Sequence, residues 1–159
     1  MNKFLRSLAM GFVLTLGVAA TVSAAGTDPV IGTWTLNLDK SKYHDNRAPK
    51  SMTRTYSAGA NGTDMKATGV AADGSSILQS ATLTYDGKDC AFAGSPDYDS
   101  VALKKVNGST VKGELKKGGT VVGHTTRTIS GGGKVLTLST AMKTAKGGTT
   151  HDVAVYDRQ

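Results

Sequence analysis

Two short stretches place guanidinium and phenol groups at strand spacing. In the run Met52-Thr53-Arg54-Thr55-Tyr56, an extended chain puts Met52, Arg54 and Tyr56 on one face and the two threonines on the other. In 121–129, Val121, Gly123, Thr125, Arg127 and Ile129 share a face in the same way. If those faces turn inward, Arg54 and Arg127 stand in an interior beside Tyr56, with Tyr156 near the end of the chain as a further phenol. A fork of N–H donors with phenolic hydroxyls beside it is an anion-binding arrangement. Charged side chains usually face water, so the competing reading turns both arginines outward.

Other chemistry finds less support. His44, His124 and His151 are scattered and lack the close spacing of a metal site. Asp86, Asp89, Asp97 and Asp99 fall short of the fixed oxygen spacing of a calcium loop and read as solvated turns. Ser109-Thr110-Val111-Lys112 fits a Ser-x-x-Lys pattern, but it falls on a turn and a strand, where the catalytic version opens a helix. Cys90 is the only cysteine, which excludes an internal disulfide; it could pair with another chain if exposed. The sole glutamate, Glu114, alternates with lysines on what reads as an outer face. The glycine runs 118–119 and 131–133 precede strands and read as turns, because a phosphate loop needs a helix behind it. The expectation is a protein with no catalytic constellation, no metal and no cofactor.

The elements that must position Arg54 and Arg127 are strands. The chain has 159 residues, one domain's worth, with 20 glycines and 3 prolines. Asp73-Gly74, Asp86-Gly87, Asn107-Gly108 and further glycine pairs punctuate Thr- and Val-rich runs, and such dipeptides supply tight hairpin turns. Period-two alternation predicts roughly ten strands at 31–37, 51–58, 63–71, 76–84, 88–92, 100–107, 110–117, 120–129, 135–142 and 149–157. The stretch 38–50 reads as a long loop or one short helical turn. An open sheet of that size would expose edges and an apolar face, so the predicted fold is all-β, an antiparallel up-and-down barrel of about eight to ten strands.

Gly32-Thr33-Trp34 on the first predicted strand, with the closing run from Val153 to Arg158, resembles the calycin superfamily of lipocalins and intracellular fatty-acid-binding proteins. The resemblance implies that Gly32 lets the chain bend at the closed end, that Trp34 plugs that end, and that Arg158 packs over the tryptophan. Gly-Thr-Trp-Thr-Leu-Asn-Leu-Asp-Lys-Ser-Lys-Tyr, followed by Ala-Pro-Lys-Ser-Met-Thr and Val-Ala-Leu-Lys-Lys, is similar to a family of small secreted bacterial lipocalin-like proteins to which no activity is attached. The chain departs from the fatty-acid-binding pattern in two places. The stretch 38–50 is too short for a helix–turn–helix lid, and Ala154 stands two residues before Tyr156, where an arginine would complete the carboxylate clamp.

Residues 1–24 read as a cleaved signal peptide. Lys3 and Arg6 precede an apolar run, and Val22-Ser23-Ala24 supplies the small-x-small pattern of signal peptidase. The run is short for a spanning helix, so no stable membrane anchor is expected, and residues 25–159 form the exported barrel, periplasmic or secreted. The charge of +7 then falls to +5, from 17 basic against 12 acidic residues. Lysines concentrate in the C-terminal half, but without interleaved aromatics they do not point to nucleic acid. Two functions fit: binding of a small hydrophobic or amphiphilic ligand in the lumen through Met52, Arg54, Tyr56, Arg127 and Tyr156, or a filled barrel acting through its basic outer surface on an envelope protein or polymer. The oligomeric state stays open.

Overall fold

Alternating Thr, Val and polar residues between glycine-bearing turns fold into ten strands: β1 (Gly32–Lys42), β2 (Ser51–Gly59), β3 (Gly62–Val70), β4 (Ser76–Leu83), β5 (Asp86–Ala93), β6 (Ser100–Lys105), β7 (Thr110–Lys117), β8 (Thr120–Ser130), β9 (Val135–Lys143) and β10 (Thr149–Arg158). The structure, a computed structural model, describes residues 28–159; the expected signal peptide, 1–24, lies outside the described residues. Each strand pairs antiparallel with its sequence neighbours, and β1 also pairs with β10, closing the barrel. Closure leaves no free sheet edge, the condition the alternation demanded. No helix among the described residues is long and apolar enough to cross a membrane.

The up-and-down order sends every odd strand away from one end and every even strand back to it. The N-terminal turn, the β8–β9 turn and the end of β10 meet at one end; the loops 43–50, 71–75 and 94–99 gather at the other. One face of each strand fills the interior. Trp34, Met65, Ala67, Leu136 and Tyr156 are almost wholly buried, with Phe92, Val101, Leu103, Val111, Leu115 and Ile129 around them. Such a set fills most of a small barrel.

Three sequence expectations are corrected. The stretch 38–50 is not all loop. β1 runs on to Lys42 through a bulge after Asn37, so the connection to β2 is residues 43–50. Polar side chains hold that bulge: the Ser41 hydroxyl donates to the Asn37 carbonyl at 2.6 Å and accepts from Val155 N–H at 2.9 Å. On β8, a bulge near its start shifts the alternation, and Val122 rather than Val121 packs against the core. Cys90 is buried, with Thr84 N–H donating to its sulfur at 3.3 Å, so in the folded chain the thiol is not presented to another chain.

The seams are unequal. The β2–β3 register is unbroken from Ser51–Val70 to Gly59–Gly62, whereas β4 and β5 pair only at Ser80–Ala93 and Ala81–Phe92. Gly94 ends β5 at φ 81°, and a Cβ there would meet the Leu78 carbonyl, so this corner needs glycine. The loop 94–99 that follows leans over the open end.

Candidate ligand-binding site

The inward faces bring Arg54 and Arg127 into one lumen. Arg127 is buried to 6% exposure, and Arg54 is partly accessible from the open end. All five tyrosines belong to the core or pack on it: Tyr56 and Tyr156 are buried, and Tyr43, Tyr85 and Tyr98 lie against them. The reading that turned both arginines to solvent is therefore the one the structure does not support.

The five proposed binding side chains divide between two adjoining spaces. Arg54, Tyr56 and Arg127 line a small inner cavity of about 90 Å³, walled by Leu83, Phe92, Val101, Leu103 and Leu115. Met52, Arg54 and Tyr156 line a wide mouth of about 570 Å³, with Ile77, Leu138 and Met142 as further apolar wall. Arg54, Tyr98, Leu138 and Thr140 border both spaces, so Arg54 stands at the neck between them. Arg54 Nε donates to the Tyr156 hydroxyl at 3.1 Å, and its guanidinium lies 5.6 Å from that ring's centre. The Tyr156 hydroxyl donates in turn to Met52 Sδ at 3.1 Å, a weak acceptor.

Arg127 is held differently. Its Nη1 donates to the Tyr85 hydroxyl at 3.0 Å, its guanidinium sits between the Tyr85 and Tyr56 rings at 5.2 and 5.6 Å, and an Asp28 carboxylate oxygen lies 4.0 Å from Nη2. Lys105 also pairs with Asp28, at 3.1 Å, and lies 4.9 Å from the centre of the Tyr85 ring. Arg127 Nε has no partner among the described residues.

Burial sets the ionisation of the phenols. It pushes both Tyr43 and Tyr98 up, with Tyr156 beside Tyr43 adding to the effect there and the Arg54 charge opposing it at both. Both stay neutral at physiological pH. Burial works against the Arg54 charge, and the Tyr156, Tyr56 and Tyr98 oxygens, which attract it as phenolates, outweigh that and hold the guanidinium above its ordinary value.

The closed end is built by the three residues of the Gly-x-Trp reading. Trp34 is wholly buried, and its Nε1 donates to the Val30 carbonyl at 2.8 Å. The Arg158 guanidinium lies 4.2 Å from the Trp34 ring centre and donates to the carbonyls of Gly133 and Ile31 at 2.6 and 2.7 Å, and to that of Pro29. Gly32 takes φ 139°, and a Cβ there would strike Arg158 Nη1.

Sequence reasoning missed three residues of the lumen wall, Tyr43, Tyr98 and Gln79, and the Arg127 partner Asp28. Tyr43 and Tyr98 sit in loops, where period two says nothing of direction. Gln79 lines the mouth with a buried Oε1 that has no partner among the described residues, and Asp28 precedes the first strand. The signal that could have found the tyrosines is compositional: five tyrosines are most of the aromatics in residues 28–159. No group of three or more His, Cys, Asp or Glu that could hold a metal ion occurs among the described residues.

No protein-family model matches the chain, and no curated protein matches it either. Among solved structures, the zebrafish ileal bile acid-binding protein complexed with cholic acid is similar, with a TM-score of 0.53 at 12% identity over 82% of this chain and 99% of that one. EF1p2_mFAP2b bound to DFHBI has a TM-score of 0.48 at 12% identity, over 82% and 94% of the two chains. At 12% identity the first likeness is one of fold alone, a closed antiparallel barrel.

Proposed function

We propose that this protein is an exported barrel that binds a small hydrophobic or amphiphilic molecule in its lumen. The observation that carries the reading is the mouth of about 570 Å³, apolar on much of its wall and ending at a guanidinium–phenol pair. Ligand sites run from about 300 to 1,000 Å³ and combine an apolar lining with a few polar anchors. The bile acid-binding protein of like fold was solved with cholic acid, which supports a small-molecule occupant here. The Gly32–Trp34–Arg158 end fits the lipocalin-like resemblance of the sequence.

Native mass spectrometry of the protein purified from its own host tests the reading. The expected result is a non-covalent adduct of small-molecule mass that is lost on denaturation. A bare chain that also takes up no apolar fluorescent probe overturns it. Export is tested on the same sample: the expected mature chain begins at Ala25 or Gly26, and an intact Met1 in an envelope fraction would refute cleavage.

A second reading rests on the outer face. Lys104 and Lys112 stand directly opposite each other on β6 and β7, both exposed, and like charges so placed repel. An anionic envelope polymer lying across them would relieve that repulsion. This reading requires salt-sensitive retention on an anionic polysaccharide that Lys112→Gln weakens.

A further inference from the structure

The outer face of the barrel carries a trough of about 550 Å³ over β6, β7 and β8. Two cross-strand rows build it. Lys104, Lys112 and Thr126 stand side by side on the three strands, and Ala102, Glu114 and His124 form the next row on the same face. Alternation puts both rows outside, because Val101, Leu103, Leu115 and Arg127 on the same strands fill the interior. Small residues make the surface concave. Ala102 is the floor, at 8% exposure although it points outward, and Gly87 on β5 leaves room for the Lys104 stem to lie across it. Neither Lys104 nor Lys112 is ion-paired among the described residues, and the neighbouring carboxylates are engaged elsewhere. Asp86, opposite Lys104, accepts from the Thr84 hydroxyl at 2.7 Å and from Lys88 N–H at 3.1 Å. Glu114 has the Lys116 ammonium at 3.7 Å, and Asp89 has it at 2.7 Å.

We propose that this trough binds a saccharide through a uronic-acid residue, whose carboxylate seats between Lys104 and Lys112 while its ring hydroxyls meet Glu114, His124 and Thr126. The inference rests on the outer-surface reading above and narrows its anionic polymer to a carboxylated sugar. Side chains directly opposite on paired strands stand about 5 Å apart at Cβ, so the two ammoniums can each take one oxygen of a single carboxylate. That carboxylate relieves the repulsion between them. The rows lie two residues apart, about 7 Å along the strands, a distance that one sugar ring with its substituents spans. Glu114 decides the class of anion. It accepts hydrogen bonds from hydroxyls and repels a second acidic group, so it favours a ligand whose acid is followed by hydroxyls over one charged along its whole length. Exposed ion pairs are weak, so the hydroxyl contacts carry the selectivity. The floor suits the ring as well: Ala102 and the lysine stems offer apolar surface to its C–H face. A site of roughly 150 Å³ holds a benzene ring, so the trough has room for more than one sugar.

Calorimetric titration at low salt with three probes tests this: tetragalacturonate, its neutral methyl ester, and tetraglutamate, which is acidic but has no hydroxyls. The wild-type protein should bind tetragalacturonate about 10-fold or more tightly than either of the others, the range of a charge-assisted hydrogen bond. Lys112→Gln should weaken tetragalacturonate about 3- to 10-fold. Ala102→Leu fills the floor and leaves every charge in place, so it should bring tetragalacturonate down to the level of tetraglutamate without moving the latter. Lys66→Gln, which removes an exposed charge from the outer face of β3, should leave all three affinities as in wild type. Tetraglutamate or the methyl ester bound as tightly as tetragalacturonate overturns the uronic-acid inference, as does a tetragalacturonate affinity that neither Lys112→Gln nor Ala102→Leu lowers. Tight binding of tetraglutamate that Lys112→Gln weakens leaves the outer-surface reading standing. Failure of both acidic probes to bind overturns that reading and this inference with it.

Discussion

An arginine covers an aromatic ring at each end of this lumen, and the two pairs have different fates. At the closed end Arg158 of β10 lies over Trp34 of β1, with backbone carbonyls of Pro29, Ile31 and Gly133 taking its protons. At the neck Arg54 of β2 lies over Tyr156 of β10, with one phenol and one poor sulfur acceptor. The ring attraction is of one kind and worth about 0.5–2 kcal/mol in either place. Hydrogen bonding makes the difference. The donors of Arg158 are used on three backbone carbonyls of the closed end, so that arginine belongs to the framework. Arg54 keeps donors in reserve. That unspent bonding capacity is what the proposed lumen site rests on.

The largest effect that could break this contrast lies at Trp34. Trp34→Ala should lower unfolding stability by about 3–5 kcal/mol, as loss of a fully buried aromatic does, measured by urea denaturation. Next is Arg158→Met, which keeps the apolar stem but strips three carbonyls of their donor; a loss of about 2–3 kcal/mol is expected. Gly32→Ala should cost about 2 kcal/mol, because the new Cβ meets the guanidinium and φ 139° is strained for alanine. Arg54→Met should do the opposite of Arg158→Met. Exchanging an uncompensated charge for a hydrophobe of similar length should leave stability unchanged or raise it by about 1 kcal/mol. If Arg54→Met destabilised the barrel by as much as Arg158→Met, both arginines would be framework and the contrast would fail.

The ten strands were legible because turn chemistry and period two are local: Asp73-Gly74 and Asn107-Gly108 fall between strands, while Asp86-Gly87 opens β5 at an irregularity in its pairing. The β1 extension was hidden, because the Asn37 amide donates to Asp157 and the Ser41 hydroxyl accepts from Val155 N–H, both on β10 and more than a hundred residues away. The face of β2 carrying Met52, Arg54 and Tyr56 could be drawn from alternation, but its direction could not. The opposite face carries threonines, which suit either side of a sheet, so the pattern lacked the apolar–polar contrast that fixes a register. Tyr43 and Tyr98 were out of reach for a simpler reason. Each lies in a loop, and its inward turn depends on the neighbours that the closed barrel supplies, Tyr156 for one and Phe92, at 4.8 Å between ring centres, for the other.

The smallest effect separates the two ends by pH. The Tyr43 phenol is held above its ordinary value of about 10, chiefly by burial and then by Tyr156, so the folded state favours the neutral form. The unfolded chain releases that proton first as pH rises. The stabilisation is therefore complete below about pH 10 and is lost progressively above it. Tyr43→Phe keeps the ring and removes the titration. Urea midpoints measured from about pH 8 to 11 should fall less steeply for this variant than for wild type. The fall that remains belongs in part to Tyr98, which burial also raises. At the closed end, the Trp34 indole has no charge to lose. Gly32→Ala should then lower the whole curve without changing its slope. A Gly32→Ala curve that steepened above pH 10 would mean that strain at the closed end reaches the phenols at the neck, and the two ends would have to be treated as one coupled unit.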